Sequence, residues 1–170
     1  MNNILTKNIL RFTFLLLLQV LVVDHIRISN MVTPYIYVLA ILMLPFNTPK
    51  WLLLVSAFAL GLFVDIFSGT MGLHAAALLW LAFARPILLN LISFGREFNN
   101  EDSPNIHALG IDWFASYALI MIVIHHSAIS FLEIFRWDEL GLTLLRILYS
   151  SVATLILVVL SQLLFAFRKE

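Results

Sequence analysis

The sequence predicts an all-α integral membrane protein, a bundle of about six transmembrane helices with both termini in the cytoplasm. Three observations carry this expectation. The chain is 62% hydrophobic, and only 12% of its 170 residues are charged. A soluble domain typically carries about 25% charged residues. The charges are grouped, and they leave apolar intervals close to the ~20 residues that a helix needs to cross the hydrocarbon core. No polar segment approaches the roughly 50 residues of a separately folding domain. Net charge is zero, so nothing points to nucleic acid. Cysteine is absent, which excludes a disulfide framework, a thiol nucleophile and a cysteine-ligated metal.

The first span is expected over residues 4–23. It reaches full length if Lys7 and Arg11 snorkel to the headgroups, and Asp24, His25 and Arg27 close it. Basic residues ahead of an apolar core also suit a signal peptide. No small-x-small site follows Val23, so an uncleaved signal-anchor helix is the better reading. The second span is expected over 34–46, with Pro34 in its first turn. Pro45, Asn47 and Pro49 end it. The third covers 51–67 behind Lys50 and Trp51 as interfacial anchors, and Gly69 and Gly72 make the turn that follows.

The fourth covers 73–91. It contains Arg85-Pro86, where proline should bend the helix or end its regular part, and where arginine should reach the headgroups. A polar loop over 93–111, expected on the cytoplasmic side, precedes a fifth span over 113–135. A short link and a sixth span over 142–167 complete the chain. With six crossings, Lys7, Arg11, Lys50, Arg85, Arg96, Arg168 and Lys169 share one side, and Arg27, Arg136 and Arg146 the other. The excess of positive charge marks the first side as cytoplasmic.

This topology places Asp24, His25, Arg27, Asp65, His74, Glu133, Arg136 and Arg146 toward the outer leaflet. Charges at membrane depth are costly unless paired or hydrated. A polar layer is therefore expected there, with Asp65 and Glu133 finding Arg146 or Arg27. The inner half should be mostly apolar helix packing.

The most informative stretch is Gly61 to Ala77, G-L-F-V-D-I-F-S-G-T-M-G-L-H-A-A-A. Ala57, Gly61 and Asp65 share one helix face, and small residues on such a face allow close helix approach. Asp65 either binds a partner, ligand or proton, or it caps the next helix or pairs with an arginine. His74 reads as a hydrogen-bonded packing residue, with a ligand or proton role as the alternative. Gly61, Gly69 and Gly72 are backbone devices for close approach or turning.

His125 and His126 diverge by about 100° around a helix, so they do not face one metal. His126, Ser130 and Glu133 do share a face, suited to a proton relay or half a metal site, but no H-E-x-x-H spacing is present. Arg146, Ser150 and Thr154 line one face of the last span, for an ion pair and interhelical hydrogen bonds. No serine has a G-x-S-x-G context. No nucleotide-binding fingerprint occurs either, so no cofactor and no enzymatic activity are expected.

The segment from Gly61 to Ala77, followed by Ala84-Arg85-Pro86, resembles the glycine–aspartate segment of MreD, the bacterial rod shape-determining membrane protein family, in its Bacteroidetes branch. The resemblance implies a non-enzymatic scaffold of the cell-elongation machinery in the bacterial inner membrane. Such proteins associate with MreC. Together they link the cytoplasmic MreB filament to the RodA glycosyltransferase and its class B penicillin-binding transpeptidase. The family is also similar in architecture to the substrate-binding S-components of energy-coupling-factor transporters, so a small-molecule-binding subunit is the alternative. Gly61, Asp65, Gly72 and His74 match the family segment. The expected mechanism is a partner helix lying in a groove beside Gly61 and Asp65.

Overall fold

The computed structural model describes residues 2–26, 32–92, 102–133 and 140–167, and these residues are overwhelmingly helical. The elements in order are α1 (Asn2–Leu21), a 3₁₀ turn (Val23–His25), α2 (Val38–Leu42), α3 (Lys50–Ser68), α4 (Leu73–Ile92), α5 (Ile106–Leu109), α6 (Ile111–Glu133) and α7 (Leu140–Phe167). Five helices, α1 with its 3₁₀ extension, α3, α4, α6 and α7, are long and apolar enough to cross a membrane. Each turns bulky apolar side chains outward, among them Phe14, Phe58, Phe83, Leu119 and Ile156. This is the pattern of a protein whose solvent is lipid. Arg27, Arg136 and the first part of the polar loop, 93–101, lie outside the described residues.

The expected second helix over 34–46 does not form. Only Val38–Leu42 is helical, and all five of its residues are buried. Pro45 explains the later limit, because it disfavours helical geometry at Leu44. Ahead of the helix, Tyr35, Ile36 and Tyr37 are aromatic or β-branched, types that resist helix.

The segment nevertheless traverses the bundle. The backbone N–H of Thr33 donates to Ser150 Oγ at 3.1 Å, and that of Tyr35 to Thr154 Oγ1 at 3.1 Å. At the other end, Gln162 of α7 lies against the Met43 sulfur at 2.7 Å. Ser150 to Gln162 is twelve residues of helix, about 18 Å. Ten residues of the crossing cover that distance because its first part is extended. Arg11, halfway along α1, also donates to Met43 O, at 2.9 Å, and Gln19, a little over two turns later, bonds back at Pro34 and Ile36. The beginning of α1 and the end of α7 therefore share one end of the bundle. Among the described residues, five long helices run along the bundle, and the broken crossing 32–46 runs along it beside them.

A broken crossing exposes backbone groups that cost several kcal/mol each in an apolar medium. Side chains of four other helices meet them. Gln19 of α1, fully buried, donates to Pro34 O at 3.2 Å and accepts from the Ile36 N–H at 2.8 Å. Its second amide hydrogen goes to Asp24 Oδ1 at 2.6 Å. At the carbonyl end of α2, Tyr117 Oη of α6 donates to Leu42 O at 3.2 Å, Arg11 serves Met43 O, and Arg85 Nη2 of α4 donates to Leu44 O. Three successive carbonyls thus have three side-chain donors.

These contacts correct two expectations. Arg85 does not reach for headgroups. It is buried, with Nε donating to Tyr117 Oη at 3.0 Å. Arg11 does not simply snorkel to the headgroups either, because its guanidinium turns into the bundle to Met43 O. Pro86 does not end α4, which continues to Ile92. Gln19→Leu should leave an N–H and a C=O of the crossing unpaired, at about 1–3 kcal/mol each. The expected outcome is a clearly lower Tm in detergent, and an unchanged Tm would count against the crossing's dependence on this amide.

Candidate functional site

Gly61, Asp65, Gly69, Gly72, His74, His125 and His126 fall at two neighbouring places, away from the start of α1 and the end of α7. The first is the junction of α3 and α4. Gly69, with φ of 69°, ends α3 in the left-handed region, and Gly72 has φ of 83°. Both suit glycine because they need positive φ. The turn they make folds α4 back along α3. The contact is close enough to be backbone on backbone. A Cβ built on Gly61 would sit 2.4 Å from Ala75 Cα and 2.7 Å from His74 O. No residue larger than glycine fits there.

Asp65 lies one turn further on and is 2% exposed. Its Oδ1 accepts from the backbone N–H of His74 at 3.0 Å and its Oδ2 from that of Ala75 at 2.9 Å. Thr70 Oγ1 also donates to Oδ1. These amides belong to the first turn of α4, whose N–H groups have no partner within their own helix. A carboxylate there also meets the positive end of the helix dipole. Asp65 therefore caps α4 from the preceding helix.

The expected groove for a partner helix is closed. Gly61 and Asp65 are both committed to α4 of the same chain, so this face is not free for a second helix. Nor does Asp65 pair with an arginine among the described residues. Arg146 Nη1 faces Glu133 Oε2 at 3.7 Å, with both side chains partly exposed. Asp24 takes hydrogen bonds from Gln19 and, at 3.2 Å, from Ser68 Oγ. The acids are thus distributed among separate local roles and do not form one continuous layer.

The second place is a buried cluster beside this junction, where the broken crossing meets α4, α6 and α7. Tyr37 Oη lies 2.7 Å from His74 Nδ1 and 3.0 Å from His125 Nε2. His126 points the other way, to Thr154 Oγ1 at 2.9 Å. The Tyr35 ring stacks on His126, with centroids 5.1 Å apart and planes at 20°. It meets His74 and His125 edge-on at 5.1 and 5.7 Å. Tyr37, His125 and Thr154 are fully buried. Thr154 serves the crossing and His126 at once. The expected relay along His126, Ser130 and Glu133 is replaced by this link across to α7.

Among the described residues, no group of three or more His, Cys, Asp or Glu side chains is arranged to hold a metal ion. What the cluster can do chemically is share and order protons.

Sequence reasoning missed Tyr35, Tyr37 and Gln19. Their signals were present. A glutamine inside an apolar run needs partners for two donors and an acceptor. A buried tyrosine usually needs one for its hydroxyl.

No protein-family model matches the chain, and no curated protein or solved structure does.

Two substitutions test the junction. Gly61→Ala should lower Tm and yield sharply, because the added methyl meets backbone. The control is Gly141→Ala in α7, where a Cβ meets nothing within 4 Å, and it should be neutral or mildly stabilising. Asp65→Ala should cost about 0.5–2 kcal/mol, the usual value of a lost cap. Thermal unfolding of the three variants in one detergent measures both effects, and equal Tm values for the two glycine variants would refute the backbone contact.

Proposed function

We propose that this chain is a non-enzymatic scaffold of the bacterial inner membrane, similar to the MreD family, with MreC as its direct partner. The observation that carries the reading is the junction at Gly61, Asp65 and Ala75. The stretch that resembles the family segment is used for backbone packing and helix capping, which are structural tasks. The expectation of a scaffold matches a bundle whose most distinctive motif builds shape. In this reading the RodA glycosyltransferase and its class B penicillin-binding partner are reached through the assembly, and MreB indirectly. Both termini lie in the cytoplasm, on the side that carries most of the lysine and arginine.

The closed junction changes where a partner helix docks. It must use one of the lipid-facing surfaces, not the groove beside Gly61. Gly61→Leu then loses the protein itself, so it cannot serve as a selective block of partner binding.

A second reading is a small-molecule-binding membrane subunit of an energy-coupling-factor-type transporter. It is favoured by the convergence of Tyr35, Tyr37, His74, His125 and His126 in one buried region. Against it, the chain's own side chains occupy that region.

Tagged protein purified from its native cells in mild detergent, with mass spectrometry of what accompanies it, separates the two. MreC and the elongation synthases are the expected companions. An ATPase pair with a coupling subunit would overturn the scaffold reading. Reporter fusions at the two ends should both report the cytoplasm, and opposite sides would refute the six-pass path.

A further inference from the structure

The hydrogen bonds of Tyr37 constrain where protons can sit. A neutral tyrosine has one hydroxyl proton, and each neutral imidazole has one N–H. Tyr37 therefore donates to one histidine and accepts from the other. His125 Nδ1 decides which. It is buried, with no hydrogen-bond partner among the described residues. A buried N–H without an acceptor bears its full desolvation cost. The favoured order is His125 Nε2–H to Tyr37 Oη, and Tyr37 Oη–H to His74 Nδ1. His74 then carries its own proton on Nε2, and His125 Nδ1 is a bare lone pair.

This arrangement holds three protons. A fourth, taken from water, has one place to go. Each Tyr37–histidine bond already contains one proton, and His74 Nε2 holds another. The added proton therefore appears as an N–H at His125 Nδ1, whichever ring carries the charge. That N–H faces no acceptor. Protonation and the packed state are thus in conflict, and the crossing is the least helical element of the bundle.

We propose that His74, Tyr37 and His125 form a proton-responsive latch on the crossing 32–46. Neutral, the triad holds Tyr37 between α4 and α6. Protonated, it releases Tyr37 and loosens the crossing. The charged and titratable groups around it are Asp65 of α3, Asp24 of the 3₁₀ turn, Glu133 and His126 of α6, Arg146 of α7 and Tyr35 of the crossing. Three of these are carboxylates. Each is already engaged elsewhere, Asp65 by the α4 amides, Asp24 by Gln19 and Ser68, and Glu133 by Arg146. None supplies the missing acceptor at His125. The inference does not rest on the scaffold reading.

The absence of native cysteine provides the test. Val38→Cys places a reporter on the buried crossing, and Met71→Cys places one on the fully exposed turn. The full-length protein in liposomes is labelled with a maleimide from about pH 8 to about pH 5, across the imidazole range. The ratio of the two rates removes the common change in thiolate fraction. With the native triad the ratio should rise about tenfold or more on acidification, equivalent to about 1.4 kcal/mol.

His74→Asn combined with His125→Gln keeps an acceptor and a donor for Tyr37 with nothing to titrate. The ratio should then stay low and flat. Tyr37→Phe removes both bonds, so its ratio should be high at every pH. It decides the matter if the double variant does not fold. His126→Gln should leave the rise intact. A flat ratio in the native protein overturns the latch. So does a rise that survives the double variant or Tyr37→Phe, or one abolished by His126→Gln.

Discussion

Everything in this bundle is arranged around one requirement, the pairing of backbone groups on a chain segment that crosses without being a full helix. In water such a segment would be served by solvent. Inside an apolar bundle it must be served by side chains. Six of the polar residues that look out of place in α1, α4, α6 and α7 meet it. Gln19, Ser150 and Thr154 serve its extended part. Arg11, Tyr117 and Arg85 serve the carbonyls that end its short helix. The cost of taking two arginines out of water is offset by charge-assisted bonds, which are stronger than neutral ones.

The α3–α4 junction solves a related problem. Two long helices meet so closely at Gly61 and Ala75 that nothing lies between their backbones. Such proximity gains dispersion contact and costs little side-chain entropy, the usual logic of small residues between membrane helices. It also carries the first turn of α4, with its unpaired amides, into reach of Asp65. A carboxylate that would be expensive as an isolated charge becomes the natural partner of those amides. One glycine and one acid thereby fix the register of the two helices. The buried cluster depends on that register, because His74 is the residue beside the contact.

Much of this was legible in the sequence. The charge-free intervals mark five long helices, and the paired glycines mark the turn at 69–72. The capping role of Asp65 was one of the readings its position allowed. The broken crossing was not legible, and the reason is physical. Hydropathy over 34–46 reports burial but not conformation, and a buried segment can be irregular when distant side chains satisfy its backbone. Those side chains are remote in sequence, and no local pattern links Thr33 to Ser150. The same distance hid the cluster. His74, His125 and His126 were visible singly, but Tyr37, which joins two of them, sits in the segment whose path could not be read. The partner groove failed for a different reason. A small-residue face predicts close approach, but it does not say whether the approaching helix comes from another protein or from the same chain.

The long reach of the crossing's hydrogen bonds also bears on biogenesis. Thr33 and Tyr35 are bonded to residues 117 and 119 positions later in the chain. A ribosome that has just delivered the crossing has not yet made α4, α6 or α7. At that moment the exposed amides and carbonyls near Pro34 and Pro45 have water, the insertion machinery or α1 as partners, and α1 offers only Gln19 and Arg11. The broken crossing therefore reaches its final form after the last helix has entered the membrane. Assembly runs opposite to synthesis here, with the earlier segment completed by the later one. Truncation of α7 would remove the groups that finish the broken crossing as well as the last helix itself.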